Sequence, residues 1–237
     1  MNLEKKISKI KALILDMDGV LVDSEPVHMK SFSKFMDHLD IDYDDSFLNS
    51  LIGFSVEHNV EKILTEKNGK KRITTNNGII LREKLYLEMI KSENLQAEKG
   101  IIDLINSCKE NNIKIALATS SVIEQVNAIL KSISGELDFT NVFDAIVSGD
   151  DVQYKKPAPD IYDNVLIRLQ INPELCLAVE DSAAGITSAK KAGIDVVGIT
   201  SPFSDEVSLS EADWLFDSVN SFSVSFVNSS KSIEKIW

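Results

Sequence analysis

Long apolar runs are missing from this chain. None of its apolar segments approaches the roughly 20 residues that a membrane-spanning helix requires. The basic start is followed only by the short apolar stretch 12–15, which is too short for the core of a signal peptide. We therefore expect a cytoplasmic protein without a membrane partner.

Cysteine and positive charge are also scarce. Cys108 and Cys176 lie in segments predicted as a helix and a buried strand, so both are expected to be reduced core residues; a disulfide or a catalytic thiol is the less favoured alternative. The 25 lysine and arginine residues face 37 aspartate and glutamate residues, which gives a net charge of −12. Such an excess argues against nucleic acid as a partner, and the sequence carries no signal for an oligomeric state.

The chain does contain the segments of a buried parallel sheet. Its 237 residues match one core domain plus a smaller insertion. Six short apolar segments have the length and composition of buried strands: residues 11–16, 113–119, 143–147, 175–181, 195–199 and 214–216. Helical spacing separates several of them, so from residue 95 onward the alternation predicts a doubly wound, Rossmann-like α/β domain.

Residues 24–95 interrupt this alternation. They show helical spacing and no convincing strand. The simplest interpretation is an all-helical cap, 24–95, inserted after the first strand of a core made of residues 1–23 and 96–237. The serine-rich stretch 218–230 has weak periodicity and predicts no element.

Polar residues follow the predicted strands at their carboxyl ends, where open α/β sheets bind ligands. They are Asp16 and Asp18, Thr119 and Ser120, Lys155 and Lys156, and Glu180 and Asp181. Carboxylates at this density repel one another, so a divalent cation is expected, and oxygen ligands favour Mg²⁺. A carboxylate cluster with Mg²⁺, a lysine and a hydroxyl suits phosphoryl transfer through an aspartyl phosphate.

Four motifs in this order resemble the haloacid dehalogenase superfamily over roughly residues 10–200. They are Asp16-x-Asp18-Gly-Val20, Thr119, Lys156-Pro-x-Pro-Asp160 and Glu180-Asp181-Ser182-x-x-Gly185. The stretch 18–26 and His28 are similar to the β-phosphoglucomutase-like subgroup of phosphatases and phosphomutases with a helical cap.

The resemblance implies a role for each core residue. Asp16 is expected to be the nucleophile and a metal ligand, and Asp18 the general acid and base, with its backbone carbonyl on the metal. Thr119 and the N–H of Ser120, at a helix start, are expected to hold the phosphoryl oxygens. Lys156 would balance the nucleophile.

The remaining expectations concern the metal and the cap. Asp181, with Glu180 beside it, is expected to complete the Mg²⁺ site. His28 is expected in the hinge and substrate pocket. Gly53 is expected to contact the substrate. Its cap loop lacks the two basic residues of the sugar phosphomutases, which weakens the mutase interpretation, but Arg82 from a later helix can substitute for them.

Each of these residues also has a purely structural interpretation. Asp16 can cap the turn after its strand, and Thr119 can be the N-cap of the next helix. Glu180 and Asp181 can cap the helix after Ser182, and Lys155 competes with Lys156 for the same role. His28 can be a structural histidine.

We therefore predict a Mg²⁺-dependent phosphatase for a small phosphorylated metabolite, with a sugar phosphate as one candidate substrate. The alternative is a β-phosphoglucomutase-like phosphomutase. A non-catalytic binding protein of the same fold is the least favoured reading.

Overall fold

Two compact units make up the part of the chain that the computed structural model describes, which is residues 2–52, 54–67, 72–135, 137–201, 204 and 206–234. The residues up to Asp23 and from Leu95 onward form one unit, and Ser24–Asn94 form the other. Leu95 belongs to the first unit, one residue before the predicted boundary, because it pairs with Ile133 in a short parallel ladder.

The first unit is built on a parallel sheet. Its strands are β1 Ala12–Leu15, β2 Leu95–Gln96, β3 Lys114–Ala118, β4 Ile133–Ser134, β5 Ala145–Val147, β6 Cys176–Glu180, β7 Asp195–Ile199 and β8 Trp214–Phe216. Six of them form one sheet in the order β5-β3-β1-β6-β7-β8, while β2 and β4 pair separately. Every neighbouring pair in the large sheet is parallel, so the predicted doubly wound sheet is confirmed.

Helices surround this sheet and also form the second unit. They are α1 Leu3–Ile7, α2 Glu25–His38, α3 Asp45–Asn49, α4 Val56–Glu66, α5 Thr75–Ser92, α6 Ile101–Glu110, α7 Ile123–Ser132, α8 Asp160–Leu169, α9 Ala183–Lys191 and α10 Val219–Glu234. Within the described residues, no helix combines the length and apolar composition that a membrane crossing needs.

The core of the first unit explains why β1 and β6 are apolar throughout. Ala12 and Ile14 belong to an apolar cluster with Ile161 of α8 and Ile186 of α9, which pack on one face of the sheet. Alternate residues such as Leu13 point to the opposite face, where α6 packs against β3. Burial on both faces removes the polar alternation that a half-exposed strand would show.

The serine-rich segment forms α10, which the sequence analysis did not predict. Val219, Phe222 and Phe226 are buried at helical spacing, and α10 packs on α6. Ser230 is buried as well, and its hydroxyl hydrogen-bonds to that of Ser107 across the two helices. Serines on the buried face weakened the apolar periodicity, although the Ser230 hydroxyl finds hydrogen-bond partners there.

The second unit is a small helical assembly with its own core. Ser55 and Thr74 cap α4 and α5 by accepting hydrogen bonds from backbone N–H groups in the first turns. Apolar residues of α2 and α4 fill the interior, among them Phe32, Phe35, Met36, Val60, Ile63 and Leu64. Short α3 was not predicted, because five residues are too few to show helical periodicity.

Candidate active site

Parallel strands bring distant polar residues to one edge of the sheet. Asp16 directly follows β1, Thr119 follows β3, Glu180 ends β6 and Asp181 comes next. Because β3, β1 and β6 are adjacent and parallel, their carboxyl ends lie side by side. The predicted convergence of these side chains is therefore a direct consequence of strand order.

Lys156 lies at the centre of the group. Its Nζ donates hydrogen bonds to Asp16 Oδ1 at 2.7 Å, to Glu180 Oε1 at 2.6 Å and to the carbonyl oxygen of Ala118 at 2.8 Å. Burial by itself would lower the pKa of Lys156, but the charges of Asp16 and Glu180 outweigh it, so the pKa lies above its usual value. Lys155 is exposed to solvent, and the structure thus brings Lys156 to the carboxylates.

Glu180 is fully buried and accepts hydrogen bonds on both oxygens. Besides Lys156, the hydroxyl of Tyr162 donates to Oε1 at 2.5 Å, and Ser182 Oγ donates to Oε2 at 3.3 Å. Burial raises the pKa of Glu180, the nearby Asp16 charge adds to the rise, and Lys156 opposes it. This carboxylate therefore holds Lys156 in place as well as facing the acidic cluster.

Asp181 is the least compensated carboxylate. Burial raises its pKa, and the charges of Asp16, Glu180 and Asp18 add to the rise. Among the described residues, no donor hydrogen-bonds to the Asp181 side chain. One carboxylate oxygen from each of Asp16, Glu180 and Asp181 lies within 4.8 Å of the others.

Two glycines make room for these carboxylates. A Cβ at Gly19 would lie 2.0 Å from Asp181 Oδ2, and Gly19 has a φ of +76° that side chains other than glycine rarely adopt. A Cβ at Gly185 would lie 1.9 Å from Glu180 Oε2. Any larger residue at either position would displace a carboxylate, which explains the glycine at positions 19 and 185.

The donor set fits a hard divalent cation. Three carboxylates share one ammonium, and Asp181 lacks a donor among the described residues, so the cluster needs additional positive charge. The ligands on offer are oxygen atoms, which suit Mg²⁺ rather than a metal that prefers nitrogen or sulfur.

The turn after β3 contacts the predicted general acid. Ser121 Oγ donates to Asp18 Oδ2 at 3.3 Å, and the N–H of Ser121 donates to Thr119 Oγ1 at 3.1 Å. Thr119 therefore supports this turn rather than capping a helix. The expectation that Ser120 lies at a helix start needs correction, because α7 begins only at Ile123.

A carboxylate from another loop completes this turn. Asp150 Oδ2 accepts a hydrogen bond at 2.8 Å from the N–H of Ile123, the first residue of α7. The N–H of Gly149 donates to the carbonyl of Ser121 at 2.8 Å. Sequence reasoning missed Asp150 because the residue that caps α7 lies 27 positions away along the chain.

Tyr162 and Ser121 were missed for a different reason. Tyr162 follows the Lys156 motif on the inner face of α8, where an aromatic residue looks like an ordinary core residue. Ser121 stood beside two predicted residues, yet nothing in its own spacing indicates a contact with Asp18. The one indication that Ser121 belongs to the site was its position directly after Thr119 and Ser120.

Two residues of the helical unit that the sequence predicts to bind substrate, His28 and Arg82, contact each other. Arg82 on α5 contacts His28 Nδ1 on α2, and the His28 ring stacks on Tyr86 with 4.1 Å between centroids. Arg82 is fully buried, and its guanidinium lies 4.4 Å from the Phe32 ring centroid. Gly53 lies outside the described residues.

A family assignment follows from comparison with known proteins. A family model described as haloacid dehalogenase-like hydrolase matches residues 13–199, and the fold and the strand-end acidic cluster described above lie within that range. The chain belongs to this family, and the prediction of an enzyme of this class is confirmed.

Relatives of this chain include a phosphatase and a phosphomutase. The phosphorylated carbohydrates phosphatase of Thermotoga maritima is 30% identical, over 86% of this chain and 91% of that protein. The β-phosphoglucomutase of Bacillus subtilis is 31% identical, over 80% and 83%. The crystal structure of CbbY from Rhodobacter sphaeroides in complex with phosphate has a TM-score of 0.77 at 26% identity, covering 92% of this chain and 99% of that one.

Proposed function

We propose that this protein is a Mg²⁺-dependent phosphatase that hydrolyses a small phosphorylated sugar through a phosphoenzyme on Asp16. The observation that carries the proposal is the Lys156 ammonium, which joins Asp16 and Glu180 beside the uncompensated Asp181. The named activities of the relatives support a sugar phosphate as substrate. We also propose that residues 24–94 are a substrate-selecting cap and that the protein is cytoplasmic.

Asp16 is well arranged to attack phosphorus. Lys156 occupies Oδ1, and no donor among the described residues contacts Oδ2, which is the oxygen free to form the new P–O bond. As that bond forms, the bond from phosphorus to the sugar oxygen breaks. Lys156 stabilises the negative charge that develops, since its ammonium is already in place and needs no reorganisation.

Asp18 is the proposed proton carrier. It gives a proton to the departing sugar oxygen, then accepts one from the water that hydrolyses the acyl phosphate and regenerates Asp16. Ser121 Oγ orients the Asp18 carboxylate. Thr119 and the N–H of Ser120 are the proposed donors to the phosphoryl oxygens.

Asp16, Glu180, Asp181 and the backbone carbonyl of Asp18 are the proposed Mg²⁺ ligands. When bound, the cation would supply Lewis-acid stabilisation of the phosphoryl oxygens and neutralise the carboxylate cluster.

Hydrolysis of p-nitrophenyl phosphate with and without Mg²⁺ tests the proposal. We expect wild type to require Mg²⁺ and Asp16→Asn to lose activity by at least about 10⁴-fold, as for other covalent nucleophiles. Asp42→Asn, at an exposed carboxylate outside the site, is the matched control. Equal activity of wild type and Asp16→Asn would refute a phosphoenzyme on Asp16, and peptide mass spectrometry of trapped enzyme checks its position.

The second candidate is a phosphomutase. It is favoured by Arg82, whose buried Nε has no hydrogen-bond partner within the described part of the chain, because a spare guanidinium donor suits the second phosphate of a bisphosphate. Incubation with β-glucose 1-phosphate and a bisphosphate primer separates the two activities. A phosphatase releases inorganic phosphate, whereas a mutase forms glucose 6-phosphate.

A further inference from the structure

The hydroxyl of Tyr162 has a place that packing alone does not explain. Tyr162 is fully buried, and its ring belongs to the apolar cluster between α8 and the sheet, a role that phenylalanine would fill equally well. A buried hydroxyl is costly unless it is hydrogen-bonded, and this one donates to Glu180 Oε1 at 2.5 Å. The hydroxyl therefore acts on Glu180.

The two oxygens of Glu180 differ in what they can still bind. Each carboxylate oxygen has about two acceptor positions. Oε1 receives both Lys156 Nζ and Tyr162 Oη, which fills it. Of the residues that the structure describes, only Ser182 donates to Oε2, through Oγ at 3.3 Å, so Oε2 keeps one acceptor position. Glu180 thus has a single oxygen to offer a cation.

Single-oxygen binding matters because cations differ in the geometry they accept. Ca²⁺ takes about six to eight oxygen ligands and commonly binds both oxygens of one carboxylate, whereas Mg²⁺ requires a compact octahedron. We infer that Tyr162 is a positioning residue that restricts Glu180 to one metal-facing oxygen and thereby favours Mg²⁺ over Ca²⁺. The inference rests on the Mg²⁺ site of the proposed function.

Calorimetric titration of the metal-free full chain with MgCl₂ and, separately, CaCl₂ tests it. In Tyr162→Phe, Oε1 regains an acceptor position, and we expect the ratio of Mg²⁺ to Ca²⁺ affinity to fall by about tenfold, the lower end of the effect of residues that support metal ligands. Tyr43→Phe, a tyrosine of the helical unit whose hydroxyl contacts Ser33, is the matched control and should leave the ratio unchanged.

The outcomes separate this inference from the proposed function. An unchanged ratio in Tyr162→Phe, or equal losses for both cations, overturns the role of Tyr162 and leaves the phosphatase proposal intact. If wild type binds neither cation, the proposed metal site fails and this inference fails with it. Should Tyr162→Phe not fold, the infrared carboxylate spectrum of Mg²⁺-loaded wild type decides, since a bidentate signature there contradicts single-oxygen binding.

Discussion

Two buried cations, one in each unit, have opposite surroundings. The side chains of Lys156 and Arg82 are 6% and 0% exposed. Lys156 contacts two buried or nearly buried carboxylates, so its pKa is raised. Arg82 has a single ion-pair partner within 4.0 Å among the described residues, Glu83, and burial lowers its pKa despite that neighbour.

The difference shows what holds each charge in a low-dielectric interior. In the α/β unit, paired carboxylates compensate the ammonium and fix its position. In the helical unit, much of the compensation comes from aromatic faces, with the guanidinium 4.4 Å from the Phe32 centroid and 4.8 Å from that of Tyr86. The first arrangement is suited to stabilising charge during a reaction, whereas the second leaves Arg82 Nε without a hydrogen-bond partner among the residues described.

The largest expected effect is the loss of catalysis when Lys156 is replaced. We expect Lys156→Met to lower kcat/KM by about 10²- to 10³-fold, since a preorganised charge at the reacting group is lost. Lys155→Met is the matched control, because its side chain is exposed and should cost little. Similar losses in both variants, measured with p-nitrophenyl phosphate, would show that the contact between Lys156 and Asp16 is not what matters.

Removing each of the two cations should lower the free energy of unfolding by a different amount. Lys156→Met leaves Asp16 and Glu180 without their shared partner and should reduce the free energy of unfolding by about 3 kcal/mol without metal. Arg82→Met removes the contacts with His28 Nδ1 and with the partly exposed Glu83, and should cost less, about 1 kcal/mol. Urea unfolding of metal-free protein measures both, and equal losses would remove the contrast between the units.

Acid should weaken the helical unit through His28. Burial and the Arg82 charge lower the pKa of His28 from 6.5 to about 3. Between these values the unfolded chain binds the extra proton, so the free energy of unfolding falls as pH drops below 6.5, by at most about 2 kcal/mol at pH 5. His28→Asn should abolish this part of the slope, whereas His58→Asn should retain it; urea titrations at pH 7.5 and 5 compare them.

The smallest expected effect compares a distant helix cap with a local one. Asp150→Ala and Ser55→Ala each remove one cap and should each cost about 1 kcal/mol. Only Asp150→Ala should also reduce kcat several-fold, since it loosens the turn that carries Thr119 and Ser121. A loss of kcat in Ser55→Ala of the same size would contradict this distinction.

The sequence predicted those parts of the fold and site that depend on residues close together along the chain. Apolar segments ending in Asp16, Thr119 and Glu180 predicted the strands and their polar ends, because parallel strands covered on both faces must be apolar throughout. It did not predict α10, because buried serines weaken the helical periodicity of the apolar residues. It did not predict the role of Asp150 either, because this residue caps α7 from 27 positions away along the chain. Local periodicity carries no information about contacts between residues far apart along the chain.

Residue order alone therefore predicted the kind of chemistry, since the strand-end residues Asp16, Glu180 and Asp181 lie together in a parallel sheet of this connectivity. Tertiary packing determined which lysine meets them, and that Tyr162 shares Glu180 with Lys156. The physical reason is distance. Lys156 and Asp16 are 140 positions apart, and a hydrogen bond of 2.7 Å between them depends on how every intervening element packs.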